Sequence, residues 1–202
     1  KCRIAGLCFD KLDVEKGMEV VSPDRKARTL KQPWSVLAYH LAGDAGLKVL
    51  HASSKAEERD SAPAENLLTE LLELPGKDGL GTLILIDEVL MYAREKVAQD
   101  KEWRSKLANF FQYLTQAVVK VDRCCLVASL LATDPRKSDA LGREIQAELY
   151  DIFQRQREEA IEPVVKEDVA EVLRRRFFTP ESLKGESFRQ HVVAALKGIQ
   201  AV

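Results

Sequence analysis

The sequence predicts an α/β protein built on a parallel sheet, and three observations carry that prediction. Leu83-Ile84-Leu85-Ile86 is apolar without alternation, the pattern of a strand buried on both faces of a parallel sheet. Two further short apolar runs, residues 3–9 and 124–128, read as strands of the same kind. The stretches between them carry helix-period patterns, as the crossovers between parallel strands require.

Length and composition agree with that class. The 202 residues suffice for one sizeable core, or one core and part of a second. Hydrophobic content of 46% and charged content of 31% are those of an ordinary globular protein. A formal net charge of −1 gives no general pull toward nucleic acid. No apolar run has the length needed to cross a bilayer, and no signal-peptide pattern is present. Cys2, Cys8, Cys124 and Cys125 form no C-x-x-C pair; they read as buried thiols of a reducing cytoplasm rather than as metal ligands or disulfides. His40, His51 and His191 have no partners at ligand spacing, so no metal site is assigned to them. The chain opens on Lys1, without an initiator methionine and directly in a strand-like segment, which predicts a piece cut from a longer polypeptide.

The elements follow in order. Residues 3–9 are the first strand. Residues 10–31 carry Gly17 and Ser22-Pro23-Asp24, which is loop chemistry with a small hairpin at residues 18–21. Pro33 suits a helix first turn, and Trp34, Leu37, Ala38 and Leu41 make an apolar face that stops at Gly43. Residues 47–63 read as polar, mixed and exposed. Leu67, Leu68, Leu71 and Leu72 mark an amphipathic helix ended by Pro75-Gly76. After the 83–86 strand, Val89, Leu90 and Tyr92 open a segment that soon turns charged. Trp103, Leu107, Phe110, Phe111, Leu114, Ala117, Val118 and Val121 recur at three- and four-residue steps, a helix with one wide face on the sheet. The strand at residues 124–128 extends through Ala132 and closes at Thr133-Asp134-Pro135. Ser138 or Asp139 caps a long helix with the stripe Leu141, Ile145, Leu149, Ile152 and Phe153. Residues 160–165 are a short extended piece. Two short helical patterns, 167–178 and 187–198, come after it, with no further strand. The boundary falls near Pro163, giving an α/β body over 1–163 and the start of a helical lid over 164–202.

The acids Asp87 and Glu88 stand where the 83–86 strand leaves the sheet. In open α/β folds ligands bind at that carboxyl edge. This is the layout of a Walker B element, in which the first acid holds Mg²⁺ and the second polarises the attacking water. The plainer reading is an acidic helix N-terminus following a buried strand.

Taken together, the order of elements resembles the AAA+ branch of P-loop ATPases. A closer resemblance is to the large prokaryotic ATP-binding proteins catalogued as domain of unknown function 499, some of them encoded in anti-phage defence islands. The residues that carry it are Gly81-Thr82-Leu83-Ile84-Leu85-Ile86-Asp87-Glu88-Val89-Leu90-Met91-Tyr92-Ala93-Arg94 and Phe110-Phe111-Gln112-Tyr113-Leu114-Thr115-Gln116-Ala117-Val118. Cys125-Leu126-Val127-Ala128-Ser129-Leu130-Leu131-Ala132-Thr133-Asp134, Val172-Leu173-Arg174-Arg175-Arg176-Phe177-Phe178 and the 29–43 stretch match as well. The resemblance implies an incomplete three-layer AAA+-like body with ATP and Mg²⁺ as cofactors of the intact protein. It implies Asp87 as the Mg²⁺-side carboxylate and Glu88 as the water-orienting base. Ser129 or Thr133 is then the polar residue on the neighbouring strand that helps to place the water, and Arg155 and Arg157 stand where an arginine finger projects toward a neighbouring subunit. The run Arg174-Arg175-Arg176 reads as a wet helix face, with a phosphate contact or a nucleic-acid patch as the sharper alternative.

One departure bears on activity. No G-x-x-x-x-G-K-[ST] occurs, and the nearest imitation, Gly76-Lys77-Asp78-Gly79, enters a strand instead of a helix. The phosphate loop and its strand are therefore expected upstream of Lys1. This piece alone is expected to hydrolyse no ATP and to bind no nucleotide. Without that strand, three parallel strands should lie in the order 3–9, 83–86, 124–131, with one uncovered edge and the short 161–165 segment displaced or paired to the third strand. The expected partners are other parts of the same longer protein, with self-assembly as a further option. Two competing functions stand beside the ATPase: a non-enzymatic scaffold that keeps the fold for binding, and a nucleic-acid-binding module acting through Arg174 to Arg176.

Overall fold

The computed structural model describes residues 1–129, 140–155, 168–177, 179, 181, 184–187, 189–191 and 193–194. The chain divides into two compact units, Lys1–Arg157 and Glu158–Val202. The first unit holds a three-stranded parallel sheet. Strand β1 (Cys2–Cys8) pairs with β4 (Gly81–Asp87), and β4 pairs with β5 (Cys124–Ala128), in the order β1-β4-β5. This is the predicted order, with β5 last among the described strands. Ile4 lies opposite Leu83, Cys8 opposite Asp87, and Leu85 opposite Val127.

Among the described residues the helices cover one side of the sheet, which corrects the expectation of strands buried on both faces. Ala5, Leu7, Ile84 and Ile86 are buried, whereas Ile4 is 53%, Leu85 41% and Val127 50% exposed. The reason lies in the winding. The chain passes from β1 to β4 to β5 in one direction across the sheet, and right-handed crossovers that advance the same way lay their helices on the same side. The cysteine expectation is corrected with it. Cys2 and Cys125 are exposed on the bare side, while Cys8 and Cys124 are half-buried.

On the covered side α1 (Pro33–Ala42) packs on β1, α3 (Glu65–Lys77) on β4, and α5 (Glu102–Lys120) on β5. Helix α5 buries Trp103, Leu107, Phe110, Phe111, Leu114 and Ala117, the face its spacing predicts. Trp34 stacks on Trp103 at 5.8 Å and meets Phe110 edge-on at 5.7 Å, so α1 and α5 are joined through rings. Gly43 closes α1 with φ 57°, as predicted. Helix α2 (Asp44–Leu50) then buries Leu47 and Leu50, which corrects the reading of residues 47–63 as wholly exposed. Gly46 is required there, because a Cβ would sit 2.2 Å from the Ala38 carbonyl oxygen. The following loop is tied back to α1. Glu58 accepts from the Lys31 and Gln32 N–H groups, and the Arg59 carbonyl accepts from Trp34 Nε1.

Helix α3 runs through Pro75 to Lys77 instead of stopping before it. Proline in the last turn removes one intrahelical hydrogen bond and leaves little helix beyond it to distort. The predicted hairpin is present, with β2 (Met18–Val21) antiparallel to β3 (Ala27–Leu30). Helix α4 (Val89–Gln99) and α6 (Ala140–Arg155) complete the covered layer. Ile145, Leu149 and Ile152 of α6 are buried, and Arg104 of α5 donates to Glu144 and Glu148 at 2.7 and 2.9 Å. The predicted continuation of β5 through residues 130–132, the caps Ser138 and Asp139, and the piece at 160–165 lie outside the described residues. In the second unit α7 (Val169–Phe177) presents exposed Arg174, Arg175 and Arg176. Glu171 accepts from Arg174 and Arg175, which hold its carboxyl down to about 2. Among the described residues no helix is long and apolar enough to cross a membrane.

Candidate active site

Strand β4 ends at Asp87 and α4 begins at Val89, so one residue makes the change of direction. That residue, Glu88, has φ 58° and ψ 33°, the left-handed region that glutamate rarely enters. Both flanks are held. The parallel ladders fix β4. Val89, Tyr92, Ala93 and Val97 are buried, Tyr92 packs 5.3 Å from Phe9, and Lys96 Nζ donates to the Val14 carbonyl at 2.6 Å. The strain of the junction therefore falls on Glu88. Among the described residues the other non-glycine residues with positive φ are Arg25, Ser54 and Arg123. The first two sit in hydrogen-bonded turns and the third just ahead of β5.

Asp87 is exposed at the carboxyl end of the central strand, and its Oδ1 accepts from the Glu88 N–H at 3.0 Å. Glu88 is half-buried. On the neighbouring strand the Ser129 N–H donates to the Ile86 carbonyl at 2.8 Å, which places Ser129 at the same edge as Asp87. Asp87, Glu88 and Ser129 are thus brought together. Arg155 is the exposed last residue of α6. Thr133 and Arg157 lie outside the described residues.

Asp10 was not singled out by the sequence. It follows β1 at this same edge, beside Cys8, whose register partner is Asp87. The Cys8 thiol is pushed up first by its hydrogen bond to Asp10, then by burial, with the Asp87 charge adding to both. A third carboxylate therefore stands near the mouth of the sheet. Its one sequence signal is its position directly after an apolar run.

Magnesium is typically held by one or two carboxylates, with phosphate and water oxygens completing its shell. The exposed Asp87 carboxylate fits that donor set. Among the described residues no group of three or more His, Cys, Asp or Glu could hold a metal ion by itself. A groove of about 250 Å³ lies at the opposite edge, lined by Leu72, Leu80, Thr82, Lys120 and Arg123, and is not part of this site.

Fold and site define an α/β protein with a parallel sheet and an acidic pair at its carboxyl edge. A family model described as DUF499 N-terminal domain matches residues 17–161, and the chain belongs to the DUF499 family. Comparison with curated proteins and with solved structures gives no match.

Proposed function

We propose that this chain is the acid-bearing part of an AAA+-type module that hydrolyses ATP with Mg²⁺ to drive a conformational change or remodel a partner, with phage defence as a setting. The observation that carries this reading is the position of Asp87 and Glu88 at the carboxyl end of the middle strand of a parallel sheet. Glu88 is held there in a strained conformation, and such strain clusters at functional sites. Magnesium would sit at Asp87 and neutralise charge on the phosphates. Glu88 would orient the attacking water and take its proton, Ser129 would fix that water from the next strand, and Arg155 would face a neighbouring subunit. The reading requires a phosphate cradle from a further segment, since these 202 residues contain no phosphate-loop motif.

The test uses the longer polypeptide that the reading requires. Glu88→Gln should lower ATP turnover by roughly 10²–10⁴-fold, the usual contribution of a general base, while nucleotide binding persists. This chain alone should show no turnover. Undiminished turnover of Glu88→Gln, or robust hydrolysis by the chain alone, would overturn the assignment.

A further inference from the structure

Among the described residues, the buried side-chain atoms without a hydrogen-bond partner are Arg3 Nε, Gln32 Oε1 and Tyr92 Oη. Arg3 leans on Asp78 at 3.9 Å. The other two belong to one neighbourhood. Tyr92 lies in α4 shortly after Glu88, is 3% exposed and packs its ring on Phe9. Burial, and then the Glu58 charge, push its hydroxyl above the ordinary tyrosine range, so Glu58 is within electrostatic reach. The Glu58 carboxylate accepts from the Lys31 and Gln32 N–H groups at 2.9 Å each. Gln32 then carries the second unmet atom. A phenol of α4, an amide just ahead of α1 and a carboxylate from the loop after α2 thus converge at the start of α1.

Leaving one buried polar atom unmet disfavours folding by roughly five- to hundredfold, so two in one neighbourhood call for a shared partner. Neither atom makes a direct hydrogen bond to the other or to Glu58. The group that fits is set by counting donors and acceptors. Tyr92 offers an O–H, while Gln32 Oε1 and Glu58 offer acceptors. A water molecule accepts one hydrogen bond and donates two, and a buried water typically has two to four polar partners. A metal cation would also suit three oxygens, but this corner is already positive. Two N–H groups meet Glu58, and burial, then the Lys31 charge, hold the Lys96 ammonium below its usual range. We propose that one buried water bridges Tyr92 Oη, Gln32 Oε1 and the Glu58 carboxylate. The bridge fastens α4 to α1 and to the loop after α2. Because α4 starts directly after Glu88, Tyr92 is a positioning residue through which a distant loop fixes the helix behind the acids. The water site does not depend on the ATPase reading.

Three measurements test the bridge. Oxygen-17 magnetic relaxation dispersion counts long-lived internal waters, and Tyr92→Phe should hold one fewer than the unaltered chain. A crystal structure should show that water within hydrogen-bond distance of all three side chains. In urea unfolding, Tyr92→Phe and Gln32→Met should each lower the folding equilibrium constant by roughly fivefold or more. The double variant should lose less than the product of the two, since both substitutions release the same water. An unchanged water count, or a Tyr92→Phe chain as stable as the original or more so, would overturn the proposal. So would a crystal structure with Tyr92 Oη bonded directly to Glu58 or Gln32. Stability that rises with sodium or potassium at constant ionic strength would assign the position to a cation and overturn it as well.

Discussion

Glutamate 88 adopts a backbone conformation that glycine enters without penalty. Glu88→Gly should therefore raise stability by roughly 1 kcal/mol over Glu88→Ala, measured by urea unfolding. Under the proposed function both substitutions remove the base, so stability and activity would move in opposite directions at this position. A second residue-scale expectation concerns His40 on α1, whose ring burial holds below the ordinary histidine range. Well above about pH 6.5 the ring is neutral in both folded and unfolded chains. As pH falls, the unfolded chain takes up the proton first, so stability declines until the folded ring titrates as well. His40→Gln should flatten that acid slope, in urea midpoints taken from neutral pH downward.

Among the elements, α5 ties the covered layer together, and its interior rings should be the costliest to lose. Phe110 is fully buried and meets both Trp34 and Phe111. Phe110→Ala should cost about 3–5 kcal/mol in chemical denaturation. Arg104→Ala should cost under about 1 kcal/mol, less still at high salt, because its fork to Glu144 and Glu148 is partly exposed. Helix α5 was legible because nineteen residues display the three- and four-residue step several times over. Helix α2 was not, because seven residues hold barely two turns, and Leu47 and Leu50 look like isolated apolar positions. Strand β4 was legible as a strand but not in its burial. Leu83 and Leu85 are as apolar as Ile84 and Ile86, and only the direction of the crossovers decides which pair meets the helices.

At the scale of the whole molecule, the acidic pair was visible from its place after an apolar run. Asp10 was not, because only the pairing of Cys8 with Asp87 brings it to the same edge. That pairing has a price in time. Strand β1 is complete at Cys8, yet its neighbour in the sheet starts at Gly81, so a loop of roughly 70 residues must close before they meet. Strands β4 and β5 face a shorter closure, with α4 and α5 between them. A sheet assembled this way starts from its later strands and admits β1 last. During synthesis at about 5–20 residues per second, β1 would wait roughly 4–15 s as an unpaired apolar ribbon. Of all the strands it would be the one most in need of a chaperone.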